Sequence, residues 1–143
     1  MISLPIQLLL IEDDGVHLLV EAKAGRRKIR LIVDTGASRT VFDKTRMEQL
    51  FPNQVIEQSN ALTTGLGTNS FPGATAKISS LRLGGLKINN LPVLVLDLSH
   101  VNASYMALGF EPFDGVLGSD LMLEYNALID FQTSMLHFNI EES

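Results

Sequence analysis

Short apolar runs separated by turn-forming residues make up the first quarter of the chain. The apolar runs over Ser3–Ile11 and Lys28–Val33 predict strands, and alternating apolar and polar residues over Val16–Lys23 predict a third. Asp13-Asp14-Gly15 and Gly25 lie between these segments, where hairpin turns are expected. The chain is therefore predicted to begin as short strands joined by turns.

Two short helices are predicted to interrupt this strand pattern. The first covers Lys44–Leu50, with the carboxylate of Asp43 as its N-cap. The second covers about Ser119–Tyr125, where Ser119 or Asp120 is the candidate cap. Both helices are expected to be minor elements of the fold.

The remaining segments again favour strands. Residues 54–97 show strand-like patterning with glycine turns, a loop is expected across 99–113, and Ala127–Phe131 with Met135–Ile140 is predicted as a closing hairpin. Many short strands with two short helices predict a mainly β fold, built as a closed or half-closed barrel. Without repeats or linkers, residues 1–143 are expected to form a single domain.

Composition and charge exclude several functional classes. A net charge of −5 argues against nucleic-acid binding, which needs clustered basic residues. The one basic cluster, Arg26-Arg27-Lys28 with Arg30, is interpreted as a solvated hairpin turn and not as a phosphate or membrane patch. No stretch reaches the ~20 apolar residues of a membrane span, and the apolar first eleven residues lack the basic start of a signal peptide. Neither a nucleic-acid partner nor a membrane is expected.

The absence of cysteine fits a reducing compartment, so a cytoplasmic location is expected. It also excludes disulfides and thiolate chemistry. No metal or other cofactor is predicted, because Glu12-Asp13-Asp14 is typical of a solvated turn and no histidines have ligand spacing.

The strongest candidate for chemistry follows the third predicted strand. There an apolar run delivers Asp34 directly into a tight turn, in which Gly36 permits unusual backbone geometry and Thr35 and Ser38 supply hydroxyl groups. A carboxylate acting as a general base needs such a rigid, hydrogen-bonded setting. A simple turn at a strand end would contain the same residues, so this segment alone leaves both interpretations open.

Two further segments have the same ambiguity when each is taken alone. Gly65-Leu66-Gly67, between threonine-rich flanks, predicts a hairpin tip that either closes over a ligand as a flap or is an ordinary turn. Val116-Leu117-Gly118 follows Asp114-Gly115 and leads into the second helix, which indicates only a strand-to-helix turn.

Together, in this order and spacing, the three segments resemble the retropepsin family of aspartic proteases. The likeness runs from about residue 16 to 140, and the long C-terminal part is more similar to cellular and bacterial members than to the viral enzymes. The resemblance implies that Asp34 is catalytic, that Thr35 bonds to its copy in a partner subunit, and that Ser38 supports the carboxylate. Gly65-Leu66-Gly67 would be the flap, and Val116-Leu117-Gly118 would pack behind the catalytic loop.

One feature departs from the viral pattern. Viral members commonly pair an arginine after the glycine of the third segment with an acid at the end of the first. Here both positions are serine, Ser119 and Ser38, so a different contact is expected to brace the loop.

The reaction needs two carboxylates, which share a proton when they lie in contact. The chain has a single Asp-Thr-Gly, and Asp130 is interpreted as a structural residue at a strand end. A homodimer would supply the second Asp34 by symmetry. The closing strands, among them Leu136–Ile140, are expected to pair across that dimer. Peptide or protein substrates with apolar residues at the scissile bond are expected, because Val33, Leu66, Val116 and Leu117 would wall the cleft. Poor cleavage of acidic peptides is expected as well, because the net charge is negative.

Other enzyme classes find less support. A serine hydrolase would need a poised histidine and a nucleophile elbow, but His17, His100 and His137 lie in unrelated contexts. No second acid is marked for a glycosidase. The alternative from another class is a catalytically weak or inactive dimer of the same fold that only binds peptides.

Overall fold

A computed structural model describes residues 1–11, 15–59 and 73–140. Strands predominate among the described residues, and the predicted mainly β barrel is confirmed. The described strands are β1 Ile2–Pro5, β2 Gln7–Ile11, β3 Gly15–Ala24, β4 Arg27–Val33, β5 Val41–Asp43, β6 Ile56–Ser59, β7 Gly73–Leu83, β8 Leu86–Leu96, β9 Gly115–Leu117, β10 Ala127–Asp130 and β11 Met135–Phe138. The described helices are α1 Lys44–Leu50, α2 Ser99–Ala107 and α3 Ser119–Glu124.

Six of the strands close into a barrel in the order β3-β4-β9-β5-β8-β7. The ring closes where β7 pairs with β3, through Lys23 with Arg82 and Ala24 with Leu81. Strands β2 and β6 extend the sheet beyond the ring. Alternate residues of each long strand point inward, as in Ile29, Leu31 and Val33 of β4, and fill the barrel with aliphatic side chains.

A second, three-stranded sheet joins the two ends of the chain. Its order is β1-β11-β10, so β11 has a neighbour on each side. The predicted single strand Ser3–Ile11 is divided at Ile6, whose N–H donates to Ser134 O at 2.9 Å. The chain thereby passes from the small sheet to the barrel. The predicted closing hairpin is confirmed as β10 and β11.

The first predicted helix is confirmed with its bounds and its cap. Asp43 Oδ2 accepts from Arg46 N at 3.0 Å at the start of α1. Helix α3 also forms, but its N-cap is Gly118 and no side chain caps it. The expectation of Ser119 or Asp120 as cap is therefore wrong, and the Asp120 carboxylate bonds elsewhere.

The expected loop across 99–113 is wrong over Ser99–Ala107, where α2 forms, and the described helices number three instead of two. Its sequence has no apolar stripe at helical spacing, and its N-cap residue, Leu98, has no side chain that can cap it. The helix is held instead by buried Asn102 and Tyr105, which contact a later segment of the chain. None of the described helices is long and apolar enough to cross a membrane.

Candidate active site

Asp34 lies directly after β4, at the point where the chain leaves the barrel. Its N–H donates to Leu117 O at 3.0 Å, and its own carbonyl accepts from Ala37 N at 3.2 Å. Its carboxylate is exposed, and Oδ1 accepts from Gly36 N at 2.9 Å. A Cβ on residue 36 would lie 3.2 Å from the same carboxylate oxygen. Glycine at this position therefore lets the turn close tightly around the carboxylate.

The parallel pairing of β4 with β9 places the third sequence segment behind the Asp34 loop. Val33 is registered with Leu117, and Gly118 follows against the backbone of Arg39 and Thr40. A Cβ at position 118 would lie 2.6 Å from the carbonyl carbon of Arg39, closer than such atoms approach. The two segments can thus touch backbone to backbone only because residue 118 is glycine.

A partly buried network around Asp120 braces the loop from the other side. Asp120 accepts from Thr40 Oγ1 at 2.8 Å and from Thr40 N at 3.0 Å. Thr40 is fully buried, and its Oγ1 also accepts from Gly118 N at 3.1 Å. Ser119 N donates to Ala37 O at 2.7 Å. The sequence has serine at positions 38 and 119 in place of the ion pair of the viral enzymes, and a different contact was expected to brace the loop. The bonds of Asp120, Thr40 and Ser119 are that contact.

A second buried network lies between the barrel and α1. Asp114 is 4% exposed, and its Oδ1 accepts from Arg46 Nε at 2.8 Å. Its Oδ2 accepts from Arg30 N, also at 2.8 Å. Asp43 joins this region by accepting from Leu98 N at 2.7 Å. The strand β9 and the start of α2 are therefore fixed to the same charged cluster.

The Asp34 carboxylate opens into a cleft of about 540 Å³. Thr35 shares this cleft, and its walls include the apolar side chains Val16, Leu18, Ile32, Val33, Val116 and Ile129. Val33 and Val116 are thus placed where the sequence predicted. Leu117 is not a wall residue: it is fully buried in the barrel core because the alternation of β9 turns it inward.

Helix α2 contributes a wall that the sequence did not reveal. Tyr105 lines the cleft, and its hydroxyl is hydrogen-bonded to Nδ1 of His17 on β3. Its ring packs edge-on against Phe113 with centroids 5.1 Å apart, and against Phe110 at 6.1 Å. Burial, followed by the negative charge of Asp34, raises the pKa of Tyr105 above its ordinary value. The hydroxyl therefore stays neutral beside the carboxylate at physiological pH.

Ser38 and Asp130, two further residues singled out in the sequence, make no hydrogen bond to the Asp34 carboxylate in the described structure. Ser38 is exposed, and within the described part of the chain no hydrogen bond joins its hydroxyl to Asp34. Asp130 lies at the β10–β11 turn and accepts from the N–H groups of Gln132 and Thr133 at 2.8 and 3.3 Å. The Thr133 hydroxyl and then the Gln132 N–H lower the pKa of Asp130. This is the structural role expected of it. Gly65, Leu66 and Gly67 lie outside the described residues.

His17 and Tyr105 are the cleft residues that sequence reasoning missed. His17 was considered only as a candidate for hydrolase or metal chemistry, and Tyr105 falls in the segment expected to be a loop. The one available signal was the run of aromatic residues Tyr105, Phe110 and Phe113 in a chain with few aromatics.

The sequence profile of the aspartyl protease family matches residues 20–121. The matched range contains the Asp34 loop and the Gly118 segment that packs against it. The chain belongs to the aspartyl protease family, and its fold is retropepsin-like.

Solved structures agree with this fold. A retropepsin-like aspartic protease from Rickettsia conorii is 21% identical with a TM-score of 0.59, and the match covers 94% of this chain and 87% of that one. The retroviral protease-like domain of Ddi1 from Leishmania major is 16% identical with a TM-score of 0.55, over 87% and 90% of the two chains. The EIAV protease, solved with the inhibitor HBY-793, is 16% identical with a TM-score of 0.57, over 86% and 100%. Comparison with curated protein sequences gave no match.

Proposed function

We propose that this protein is an aspartic endopeptidase. Its active site would be formed by two Asp34 carboxylates, one from each of two identical chains, and the peptide bond would be hydrolysed between them. The observation that carries the proposal is the exposed Asp34 carboxylate, held by its own loop at the floor of an apolar cleft. The cleft concentrates an extended peptide next to the carboxylate, and its apolar walls keep bulk water away from the reacting bond.

In the proposed reaction one Asp34 is ionised and its copy is protonated, as is general for aspartic proteases. The ionised carboxylate takes a proton from a water, whose oxygen attacks the peptide carbonyl carbon. The protonated carboxyl group gives its proton to the carbonyl oxygen, which forms a tetrahedral diol. Proton transfer to the amide nitrogen then breaks the C–N bond. None of these proposed reaction steps uses a cofactor.

A second copy of the chain is needed because each chain carries one Asp-Thr-Gly. The expectation that the closing strand pairs across the dimer is wrong for Met135–Phe138, since β1 and β10 already occupy both edges of β11. Within the described residues, β10 is an outer strand of this sheet. Ile129 and Phe131, in and after β10, line the same cleft as Asp34. We therefore assign the dimer contact to the β10 edge.

Exposed apolar side chains support this contact. Leu123, Leu128 and Phe131 are 82%, 55% and 61% exposed, and they lie within nine residues of one another on α3, on β10 and after it. An antiparallel pair of identical β10 strands obeys two-fold symmetry, so one patch would serve both chains. Pairing would also remove an open sheet edge that invites aggregation.

The apolar walls favour substrates with apolar residues on both sides of the scissile bond. Val33, Val116 and Ile129 provide that surface in the described part of the cleft. The chain contains no cysteine and so no disulfide, which is consistent with an enzyme of the reducing cytoplasm.

The test is cleavage of a mixed peptide library by the wild-type chain and by Asp34→Asn. Asparagine keeps the side-chain shape but cannot accept the proton from water, so turnover should fall by at least about a thousandfold while the unfolding temperature is retained. A transition-state-mimicking aspartic protease inhibitor should block the wild type. Activity retained in Asp34→Asn would remove Asp34 from the mechanism. Peptide binding without any turnover in the wild type would favour an inactive peptide-binding dimer.

A matched pair of variants tests the dimer contact. Leu128→Asp should shift the chain to a monomer in sedimentation, because each chain would bring a charge into the apolar surface that the pairing buries. Val55→Asp also changes an exposed apolar residue, outside the small sheet, and should leave the association unchanged. If both variants dimerise like the wild type, the β10 edge is not the interface.

A further inference from the structure

Four basic side chains lie side by side across four neighbouring strands at the closure of the barrel. They are Lys28 on β4, Lys23 on β3, Arg82 on β7 and Lys87 on β8, and we call them the cationic row. Each is the direct partner of the next in the strand register. Directly paired residues of antiparallel strands point to the same face, so all four side chains share one exposed surface.

The row is invisible in the linear sequence. Lys28 belongs to the basic turn cluster, but Lys23, Arg82 and Lys87 come from separate segments that only the β3–β7 closure brings together. Strand spacing of about 4.8 Å places the four charges along a line of about 15 Å. Arg26 and Arg27 lie at the adjoining hairpin turn and add to the same positive field.

Such a row costs stability when it has no anionic partner. Like charges directly opposite each other across strands repel, and Lys23 has a cation on both sides. Among the described residues, the basic groups that form ion pairs are Arg30, Arg39 and Arg46, and none of the four belongs to this set. Glu21 is the acid that shares the shallow depression containing Lys23, Lys28 and Arg82. Three cations therefore face a single carboxylate there.

We propose that the cationic row binds an acidic peptide segment. A polyanion such as nucleic acid would meet a chain whose overall net charge is −5, and it would find no Phe, Tyr or Trp side chain on β3, β4, β7 or β8 in the described structure. A membrane surface is disfavoured because the exposed large apolar residues of the described chain lie on other elements, such as β2, α2 and β10. A short run of carboxylates needs neither feature.

The position of the row gives this segment a place in substrate recognition, an extension that rests on the proposed protease function. Lys28 and Asp34 are separated by six residues along β4 and the turn after it, which is about 20 Å of extended chain. An acidic tract about six or more residues from the scissile bond could therefore contact the row while the apolar core of the substrate occupies the cleft. The row would recruit acidic protein substrates without changing the cleavage chemistry.

The first experiment measures binding alone and does not depend on turnover. A fluorescent peptide of eight glutamates is titrated with Asp34→Asn protein, with the same protein carrying Lys23→Glu, and with the same protein carrying Lys44→Glu. Lys44 is exposed on α1 and controls for the change in net charge. We expect Lys23→Glu to weaken binding about tenfold and Lys44→Glu to weaken it less than about twofold. Binding by the protein with the unchanged row should be lost at about 0.5 M salt.

Stability separates this loss from misfolding. Glutamate at position 23 would lie between Lys28 and Arg82, so Lys23→Glu should unfold at the same temperature as the parent or at a higher one. The proposal is overturned if the glutamate peptide does not bind at low salt, or if both variants weaken binding equally. Tighter row-dependent binding of single-stranded DNA or of anionic vesicles would also overturn it.

The second experiment compares two cleavable peptides with the same apolar core and a six-residue spacer, one ending in glutamates and the other in glutamines. The glutamate peptide should have a lower KM and an unchanged kcat with the wild type, and Lys23→Glu should raise that KM toward the value for the glutamine peptide. Equal KM values in the wild type would refute the recruiting role. If neither peptide is cleaved but row-dependent binding persists, the protease proposal fails and the binding surface stands.

Discussion

The two structures that border the Asp34 carboxylate are built in opposite ways. The Asp34 loop, residues 34–40, is held mainly through its backbone: Gly118 lies against the backbone of Arg39 and Thr40, Ala37 O accepts from Ser119 N, and Thr40 N donates to the Asp120 carboxylate. Helix α2 is held by side chains, with Tyr105 packed on Phe113 and Phe110. Asn102 adds bonds to both the N–H and the carbonyl of Phe113, at 2.8 and 3.0 Å.

Under the proposed function, this difference separates the residues that govern the reaction from those that govern substrate specificity. A loop fixed through backbone groups keeps the carboxylate in one geometry, and it tolerates few residues at the contact points. A wall fixed through side-chain packing can change its surface by substitution while the loop stays in place. We therefore expect changes in the loop to reduce kcat and changes in α2 to act mainly on KM.

The largest effect is expected from Gly118→Ala. The added Cβ would lie 2.6 Å from backbone atoms of Arg39, and neither backbone can yield without moving the Asp34 loop. The free energy of unfolding should fall by about 3 kcal/mol, with loss of kcat in whatever fraction folds. Chemical denaturation and single-turnover kinetics measure the two effects.

Gly85→Ala is the matched control, since its Cβ would meet Ile2 Cγ2 at an ordinary 3.6 Å. It should change stability by less than about 1 kcal/mol. Equal stability of the two variants would mean that the loop is not held by close backbone contact.

An intermediate effect is expected from Asn102→Ala in α2. The variant leaves the N–H and carbonyl of Phe113 without their partners in a buried position, at a cost of about 2 kcal/mol. Because α2 then loosens while the Asp34 loop does not, KM should rise and kcat should stay within about twofold. Exposed Asn89→Ala is the control and should match the wild type. A fall in kcat with constant KM would contradict the division between loop and wall.

The smallest effect is expected from Tyr105→Phe, which keeps the ring packing and removes the hydrogen bond to His17. The pKa of Tyr105 is raised in the folded state, so the folded chain holds this proton more tightly than the unfolded chain. The resulting stability is complete below the unfolded pKa of about 10 and is lost as pH rises through the higher folded value.

Thermal unfolding between pH 8 and 11 should therefore fall less steeply in Tyr105→Phe than in the wild type. At neutral pH the variant should lose no more than about 1 kcal/mol, and its KM should change more than its kcat. Parallel curves for the two proteins above pH 10 would show that Tyr105 does not titrate as described.

The same contrast explains what the sequence could predict. The Asp34 turn, the bounds of α1 and the barrel strands follow from local signals: glycines at tight contacts, an aspartate cap and apolar alternation. Helix α2 has no apolar stripe at helical spacing. It is held in place by tertiary contacts of Tyr105 and Asn102, which the local sequence does not show.

Contacts between residues far apart in the chain could not be predicted from the sequence either. The brace from Asp120 to Thr40 spans eighty residues, and the cationic row depends on the register of β3 with β7. The position of Leu117 was misjudged for a related reason, since only the pairing of β9 decides which of its residues faces the core.

The central claim is that one chain holds half of an active site. Its most direct test is peptide turnover across a dilution series, measured beside sedimentation of the same samples. Below the dimer dissociation constant, each halving of protein should cut total activity about fourfold, in step with the loss of dimer. A twofold fall at each step, with turnover by a species that sediments as a monomer, would contradict the shared site and require a second carboxylate within the chain.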